Sequence, residues 1–379
     1  METILIVFLL AVLALVVIYV YYDRFRREKK SNYPTAYIEG LRMMLESRDE
    51  AAFSRFRDVI AEDSTNIDAY IRIGNILRKY NKADKALQVH KDLTLRHDVS
   101  PEEKFIVLEA IARDYEALED YHSARAALQE AYDFNPENTA IAEKLERTCT
   151  RLADWEGAFK IREKLARHDG AGARSKMAAY KFFQGQQLYD RKKYHDARII
   201  FKDAIHTDAD CVPAYIWIGD SYVAENRLED AVAIWKKLIQ TVPQEAHLVL
   251  GRLKKALFDL GRFGVISDIC RDILSVSKDN LEARLTLAEY HLKKGEYNLA
   301  IEHLSVAADN NPNSYLPSLE LARLYLITDD KEKLAGLLDN FQSRRDAVEG
   351  EYHCLECGHK SQSKIWHCPS CQAVNSFVK

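Results

Sequence analysis

The sequence has no marked excess of charge of either sign. Among its 379 residues, 54 lysines and arginines stand against 58 aspartates and glutamates, which leaves a formal net charge of −4. Proteins that bind nucleic acid through its phosphates concentrate positive charge in one domain or on one face, and the bulk composition gives no such signal. We therefore expect no nucleic-acid partner.

Cysteine is scarce outside one short stretch. The chain has seven cysteines, of which four lie near its C-terminal end, while Cys149, Cys211 and Cys270 are separated by long intervals. A disulfide framework would need an even and dense set of cysteines in a short secreted chain. We therefore expect the three isolated cysteines to be reduced, packed thiols, which favours a cytosolic location for the body of the protein.

The sequence also lacks the short motifs of common catalytic sites. It contains no nucleophile elbow, no phosphate-binding loop and no His-Glu-x-x-His run. Histidines in the body of the chain share no ligand spacing, as His90, His122, His195, His247 and His303 illustrate. We therefore expect a protein that is not an enzyme and has no catalytic residues.

One long apolar run lies near the N-terminus. The nineteen residues from Ile4 to Tyr22 include no charge, and as a helix they would cover roughly 28 Å, close to the thickness of the hydrocarbon core of a bilayer. A cleaved signal peptide would need a basic stretch before the run and a small-x-small cleavage site after it, and neither is present. The run therefore predicts a membrane anchor that spans the bilayer once.

Basic residues follow the apolar run rather than precede it. They are Arg24, Arg26, Arg27, Lys29 and Lys30. The positive-inside rule then places the N-terminus outside and the remainder of the chain in the cytoplasm. We assign residues 1–22 to the transmembrane anchor and residues 23–32 to a basic juxtamembrane linker.

Small residues recur at a fixed spacing through the body of the chain. Gly40 and Gly74 stand thirty-four residues apart, and each is followed twelve positions later by an alanine. The same step recurs in four further pairs, which are Ala112 with Ala124, Gly185 with Ala197, Gly219 with Ala231, and Ala288 with Ala300. A fixed period of this length is typical of stacked helical hairpins.

Aromatic residues and prolines occupy other positions of the same period. Phe56, Phe201 and Trp235 follow the alanine by four residues, and in three copies a proline follows it by twelve. Small residues let two antiparallel helices approach closely, the aromatic ring fills space towards the next pair, and a proline cannot continue a helix interior. The pattern resembles the tetratricopeptide repeat, which implies a right-handed superhelix of eight or nine hairpins over residues 33–342.

The resemblance also implies a concave face that holds a peptide or protein. The first helix of each hairpin should line that face, and Asn75, Arg78 and Arg113 occupy such positions. These three are the candidate partner-binding residues. The glycine-rich stretch at residues 169–173 is a candidate joint between two halves of the array.

Four cysteines near the C-terminal end form two Cys-x-x-Cys pairs separated by ten residues. The pairs are Cys354 with Cys357 and Cys368 with Cys371. Each pair can fold into a tight knuckle, and four thiolates complete the tetrahedral shell that structural zinc prefers. Residues 352–379 are too few to bury a self-sufficient core, so a bound metal ion would supply the missing stability.

The metal could be zinc or iron. A site of four cysteines also resembles rubredoxin, in which iron carries one electron, and the geometry permits both metals. Gln372 stands where the rubredoxin pattern has glycine, and no flavin or nicotinamide motif accompanies the cysteines. We therefore expect one structural zinc ion, with His353, His359 and His367 on the surface of the module and outside the metal shell.

The combination of anchor, repeats and cysteine-rich tail resembles the lipopolysaccharide assembly protein B family. The most specific part is the tail, in which Tyr352, Cys354, Cys357 and Gly358 are followed by Trp-His-Cys-Pro-Ser-Cys at residues 366–371. The resemblance implies an adaptor in the bacterial inner membrane, with its N-terminus in the periplasm and its body in the cytoplasm. It further implies that the adaptor helps the membrane protease FtsH degrade LpxC, the deacetylase of the committed step in lipid A synthesis.

The sequence as a whole predicts an all-α tetratricopeptide-repeat superhelix with an N-terminal transmembrane helix and a small C-terminal rubredoxin-like zinc ribbon. The predicted function is that of a non-catalytic adaptor that regulates lipopolysaccharide synthesis. Its predicted partners are FtsH, LpxC and other inner-membrane proteins. Two alternatives stay open, namely a rubredoxin-type electron carrier and a scaffold for another envelope assembly process.

Overall fold

The computed structural model describes residues 35–96, 99–166, 172–312, 314–343 and 352–378. The predicted anchor at residues 1–22 and the linker at residues 23–32 lie outside these ranges. Within them, no helix combines the length and the apolar character needed to cross a membrane.

Eighteen α-helices lie in the described ranges before residue 344. Their bounds are α1 Thr35–Leu45, α2 Asp49–Glu62, α3 Ile67–Lys79, α4 Ala83–Thr94, α5 Pro101–Ala117, α6 Tyr121–Phe134, α7 Thr139–Arg151, α8 Trp155–Leu165, α9 Gly172–Asp190, α10 Tyr194–Thr207, α11 Val212–Ala224, α12 Leu228–Thr241, α13 His247–Asp259, α14 Val265–Val276, α15 Leu281–Lys293, α16 Tyr297–Asn310, α17 Leu316–Ile327 and α18 Lys331–Ser343. A 3₁₀ turn at Pro243–Glu245 precedes α13. The predicted all-α repeat architecture is confirmed for this part of the chain.

The same turn joins the two helices of every hairpin in the described ranges. Each turn contains one residue in the left-handed region, and these are Ser47, Asn81, Glu119, Ala153, Lys192, Asn226, Gly261, Gly295 and Asp329. The backbone N–H that follows it donates to a carbonyl five residues earlier, as from Asp120 to Tyr115 at 3.0 Å. This bond satisfies a carbonyl at the helix end and offsets the roughly 1 kcal/mol that a non-glycine residue costs in this conformation.

The small residues of the repeat lie directly against its aromatic residues. A Cβ atom added to Gly185 would lie 2.6 Å from the ring of Phe201, and one added to Gly219 would lie 2.1 Å from Nε1 of Trp235. The indole N–H of Trp235 donates to the carbonyl of Ile216 at 3.3 Å. Each ring is therefore held inside its own hairpin, a contact that the sequence pattern did not reveal.

The prolines of the period mark helix ends, as predicted. Pro136, Pro243 and Pro312 lie shortly after the ends of α6, α12 and α16, which are Phe134, Thr241 and Asn310. Because a proline has no backbone N–H and clashes with the preceding turn, none of these helices can continue through it.

The chain divides into two compact units, residues 1–148 and residues 149–379. The boundary falls within α7, between Thr148 and Cys149, whereas the sequence suggested a joint at residues 169–173. Residues 167–171 lie outside the described ranges, and Gly172 is the first residue of α9, which continues without a break to Asp190. The division therefore lies before the glycine-rich stretch.

The three isolated cysteines are buried, as expected for packed thiols. Cys149 and Cys211 are 3% and 7% exposed, and Cys270 is fully enclosed. Burial raises the pKa of Cys211 and of Cys270 to about 12, so both stay protonated and unreactive at neutral pH.

Residues 352–378 form a small three-stranded sheet. Strand β1 is Tyr352–Cys354, β2 is Lys360–Ser361 and β3 is Phe377–Val378. Strand β1 is central and pairs antiparallel with both others, with Cys354 opposite Phe377. The buried centre of this ribbon consists of Cys354, Cys368 and Phe377, so two of its three core side chains are the predicted metal ligands.

Two stacked histidines predict that the stability of one hairpin depends on pH. The rings of His291 in α15 and His303 in α16 lie 5.5 Å apart, and Nδ1 of His303 is buried without a hydrogen-bond partner in the described residues. Burial lowers the pKa of His303 below its ordinary value, and the charge of His291 lowers it further. The neutral ring is therefore favoured in the folded state, and the unfolded chain binds the proton more readily below about pH 6.5.

We expect the chain to lose stability as the pH falls from 7.5 to 5.5, and the variant His303→Gln to lose less. Urea unfolding at the two pH values, followed by circular dichroism, measures this difference. The matched control is His195→Gln, since His195 is exposed. Equal pH dependence in the two variants would show that His303 does not carry the effect.

Candidate metal centre

The two Cys-x-x-Cys pairs fold into knuckles with the same hydrogen bonds. In the first, the N–H of Gly358 donates to the carbonyl of Cys354 at 2.8 Å, and the N–H of Cys354 donates to the carbonyl of His359 at 2.9 Å. In the second, the N–H of Gln372 donates to the carbonyl of Cys368 at 3.0 Å, and the N–H of Cys368 donates to that of Ala373 at 2.8 Å. The pairs are therefore related by a local pseudo-symmetry, which directs all four thiols towards one point.

The residue after each knuckle adopts a left-handed backbone. Its φ is +73° at Gly358 and +63° at Gln372. Glycine adopts this conformation without cost, whereas glutamine adopts it less readily. The side-chain amide of Gln372 donates to the carbonyl of Pro369 at 3.3 Å, which helps to hold the second turn. The departure from the rubredoxin pattern at Gln372 therefore leaves the knuckle intact.

The four sulfur atoms lie in the arrangement that a tetrahedral ion requires. All four fall within 4.8 Å of one another, and the pairs Cys354 with Cys371 and Cys357 with Cys368 are each 3.7 Å apart. A tetrahedron with Zn–S bonds of about 2.3 Å has its sulfur atoms about 3.8 Å apart. The predicted ligands Cys354, Cys357, Cys368 and Cys371 thus form a four-cysteine metal-binding site.

Two thiols of this site, those of Cys354 and Cys371, have pKa values shifted in opposite directions. Burial raises the pKa of Cys371 to about 12, and hydrogen bonds to the other three thiols raise it as well. At Cys354 burial acts in the same direction, but hydrogen bonds from the Ser376 hydroxyl and from backbone N–H groups lower its pKa to about 6. A bound divalent ion removes the repulsion between the thiolates, so metal binding releases protons.

Exposure differs among the four ligands. Cys354 and Cys368 are 1% and 0% exposed, Cys371 is half-buried and Cys357 faces solvent. The shell provides four protein ligands and no open position, which is the arrangement of structural zinc sites rather than catalytic ones.

The ribbon lies on the second unit's helices through two aromatic side chains. The ring of His367 meets Trp155 of α8 edge to face at 5.6 Å and Phe183 of α9 at 5.7 Å. Trp366 packs against the apolar cluster that α11–α15 enclose, which includes Trp235. Trp366 and His367, the two residues before the ligand Cys368, thus pack on the helices of the repeats.

Two polar contacts fix the ribbon at its edges. Nζ of Lys364 lies 2.5 Å from Oε1 of Glu245 in the 3₁₀ turn, and both side chains are mostly buried. The side-chain amide of Asn375 donates to Oγ of Ser175 in α9 at 2.5 Å. The contacts join residues that are 119 and 200 positions apart in the sequence. No local pattern therefore predicts that Glu245 or Ser175 contacts the ribbon.

The three histidines lie outside the metal shell, as predicted, but one of them does not face solvent. His353 and His359 are exposed, as expected. His367 is half-buried against Trp155 and Phe183, with its Nε2 atom enclosed, because it faces the helices rather than solvent. Burial lowers the pKa of His367, so its neutral form is favoured.

The candidate partner-binding residues lie in the first unit and make internal contacts. Arg78 donates from Nη1 to Oδ1 of Asp114 at 2.6 Å and from Nη2 to Oδ1 of Asn75 at 2.5 Å. Arg113 forms an ion pair with Glu109. A role of these three residues in partner binding stays a prediction.

Comparisons with known proteins agree with this architecture. A family model described as a rubredoxin metal binding domain matches residues 352–379, and a tetratricopeptide repeat model matches residues 214–244. The chain is therefore a tetratricopeptide-repeat protein with a C-terminal rubredoxin-type metal-binding ribbon. Lipopolysaccharide assembly protein B of Escherichia coli (strain K12) is 20% identical over 352 residues, which cover 90% of this chain and 88% of the relative. The chain is thus similar over most of its length to lipopolysaccharide assembly protein B.

A second relative with the same name comes from Haemophilus influenzae. It is 23% identical over 358 residues, with the same coverage of 90% and 88%. Among solved structures, the TPR2AB-domain:pHSP90-complex of yeast Sti1 is 13% identical, covers 77% of this chain and 96% of its own, and has a TM-score of 0.34. The repeat assignment rests on the hairpins of this chain and on the tetratricopeptide model.

Proposed function

We propose that this protein is a non-catalytic, membrane-anchored adaptor that regulates lipopolysaccharide synthesis. The observation that carries the proposal is the four-cysteine ribbon lying on the repeats, in a chain related over 90% of its length to lipopolysaccharide assembly protein B. Stacked helical hairpins present a long surface to partner proteins. The closed thiolate shell adds rigidity and leaves no position for a substrate.

In this proposal one zinc ion has a structural role. Cys354, Cys357, Cys368 and Cys371 would hold it and so join the two knuckles. Trp366 and His367 would then keep their places against the helices of the second unit. The metal would therefore hold the ribbon in its position on the repeats.

The predicted anchor at residues 1–22 concentrates the repeats near other proteins of the bacterial inner membrane. Tethering raises the effective concentration of a partner without any new contact. The proposed partners are the protease FtsH and its substrate LpxC, with the repeats in the cytoplasm and the N-terminus in the periplasm. Support for this pair comes from the family resemblance.

The half-life of LpxC in cells tests the proposal. We expect it to lengthen several-fold when the gene is deleted, to recover with the wild-type chain, and to stay long with Cys354→Ser/Cys357→Ser. The matched control is Ser370→Ala, because Ser370 is exposed in the second knuckle and is not a ligand. An LpxC half-life that does not respond to the deletion would exclude this pair of partners.

A further inference from the structure

One of the four metal ligands lies at the surface of the ribbon. Cys357 is exposed, and so are the residues around it, over the whole stretch 355–360. Its sulfur atom lies 3.7 Å from that of Cys368, which is 0% exposed. A small solute can therefore reach one sulfur atom of the site directly, and an enclosed second sulfur atom lies beside it.

The cysteines of the repeats are shielded from such a solute. Cys149, Cys211 and Cys270 are buried, and the high pKa of the last two keeps them protonated. The thiolate rather than the thiol is the nucleophile, and cysteines that hold a metal ion are thiolates. Because oxidation of cysteine follows thiolate character and exposure, an oxidant should react at Cys357 before it reacts in the repeats.

We propose that Cys357 is an oxidation site through which a peroxide opens the metal centre. The sulfur atom of Cys357 attacks the peroxide, so that an S–O bond forms, the O–O bond breaks and hydroxide leaves. The sulfur atom of Cys368 then attacks that of Cys357, so that an S–S bond forms, the S–O bond breaks and a second hydroxide leaves. With two protons from solvent, the two electrons that the cysteines lose reduce hydrogen peroxide to water.

The disulfide removes two of the four ligands. Only Cys354 and Cys371 remain as thiolates, and a structural zinc site needs four protein ligands. The ribbon then loses its metal, and the contacts of Trp366 and His367 with the helices are lost with it. Exposure to peroxide is thereby converted into release of the ribbon from the repeats, whichever proteins the repeats bind.

Peroxide treatment of the purified, zinc-loaded full chain tests the proposal. A colour-forming chelator records the release of zinc, and amide hydrogen exchange over residues 352–378 records the release of the ribbon. Trypsin places the first cysteine pair in the peptide 346–360 and the second in the peptide 365–379, so a disulfide between the pairs links two peptides that otherwise separate. We expect the linked peptides, joined through Cys357 and Cys368, to accumulate as zinc is released, while the cysteines of the repeats stay reduced.

Two matched variants locate the site of attack. Cys357→His and Cys371→His each leave three cysteines and one histidine, a ligand set that structural zinc also accepts. Only the first variant removes the exposed sulfur atom. We expect Cys357→His to release zinc about tenfold more slowly than the wild-type chain, because its remaining cysteines are less accessible to the oxidant. Cys371→His should release zinc about as fast as the wild-type chain.

Three results would overturn the proposal. The first is an equal rate of zinc release from the two histidine variants, since exposure of Cys357 would then not select the site. The second is a disulfide confined to one tryptic peptide, or zinc release without any disulfide. The third is a ribbon that stays protected from hydrogen exchange after the linked peptides have formed. The wild-type measurements need no substitution, so they decide the proposal even where a variant does not bind zinc.

Discussion

Removal of the metal is expected to unfold the ribbon and to uncover the helices on which it lies. The apolar cluster at the centre of the ribbon has three buried side chains, two of which are metal ligands, so little apolar contact remains without the ion. Structural zinc supplies about 10–16 kcal/mol of binding free energy in small domains, and this energy is also folding energy. The helices should persist, because their hairpins have a core of their own around Trp235 and Leu253.

Chelation of the metal and the variant Cys368→Ser should have the same effect. Amides of residues 352–378 should lose protection from hydrogen exchange, and tryptophan fluorescence should change as Trp366 and Trp155 become exposed. The circular dichroism signal of the helices should remain. Elemental analysis of the untreated protein identifies the ion. Bound iron would also give a visible absorption that changes reversibly on reduction.

Ser370→Ala provides the control for this experiment, because it alters the second knuckle without removing a ligand. It should retain the metal and the amide protection. Ribbon amides that stay protected after complete metal removal would contradict the proposed structural role. In that case the contacts of Lys364, Asn375 and Trp366 would suffice to hold the ribbon.

The metal ligands could be predicted from the sequence because their geometry is local. Each knuckle is closed by hydrogen bonds within six residues, so the spacing of the cysteines already determines where the sulfur atoms point. The position of the ribbon on the repeats could not be predicted. The contacts of Lys364 with Glu245 and of Asn375 with Ser175 join residue types that are common on any surface.

In the repeats, too, some features could be predicted from the sequence and others could not. Gly185 and Gly219 could be predicted to face a partner helix, because small residues at a fixed spacing let two helices approach closely. The contact of each glycine with Phe201 or Trp235 in its own hairpin could not be predicted. The hairpin turns could not be predicted in this way, since seven of their nine left-handed residues in the described ranges are not glycine. Hydrogen bonds between backbone groups at the helix ends stabilise these turns. Because backbone groups are the same in every residue type, the sequence pattern does not predict these bonds.

One hairpin replaces the aromatic residue of the repeat by a buried polar network. His90 stands four residues after Ala86, and its ring lies against Gly74 as Phe201 lies against Gly185. Nδ1 of His90 is 2.5 Å from Oδ2 of Asp114, which is fully buried. The other oxygen of Asp114 accepts from Arg78, as described above.

The variant Asp114→Ala is expected to lower the free energy of unfolding of the first unit by about 3–5 kcal/mol. It removes the common acceptor of Arg78 and His90 and leaves a charged or polar group without its partner in a buried site. Replacing one member of a buried pair costs more than replacing the whole network by apolar side chains of similar volume. The triple variant Arg78→Leu/His90→Phe/Asp114→Leu should therefore recover most of the loss, since phenylalanine occupies the equivalent position elsewhere in the array.

Hydrogen exchange of amides in α3–α6 measures this stability within the unit that contains the network. The single variant should exchange faster than the wild-type chain at these amides, and the triple variant should approach the wild-type rate. Amides of the ribbon serve as an internal reference, because residues 352–378 belong to the other unit. If the triple variant is as unstable as Asp114→Ala, the network is stabilising in itself, and His90 is then more than a substitute for the aromatic ring.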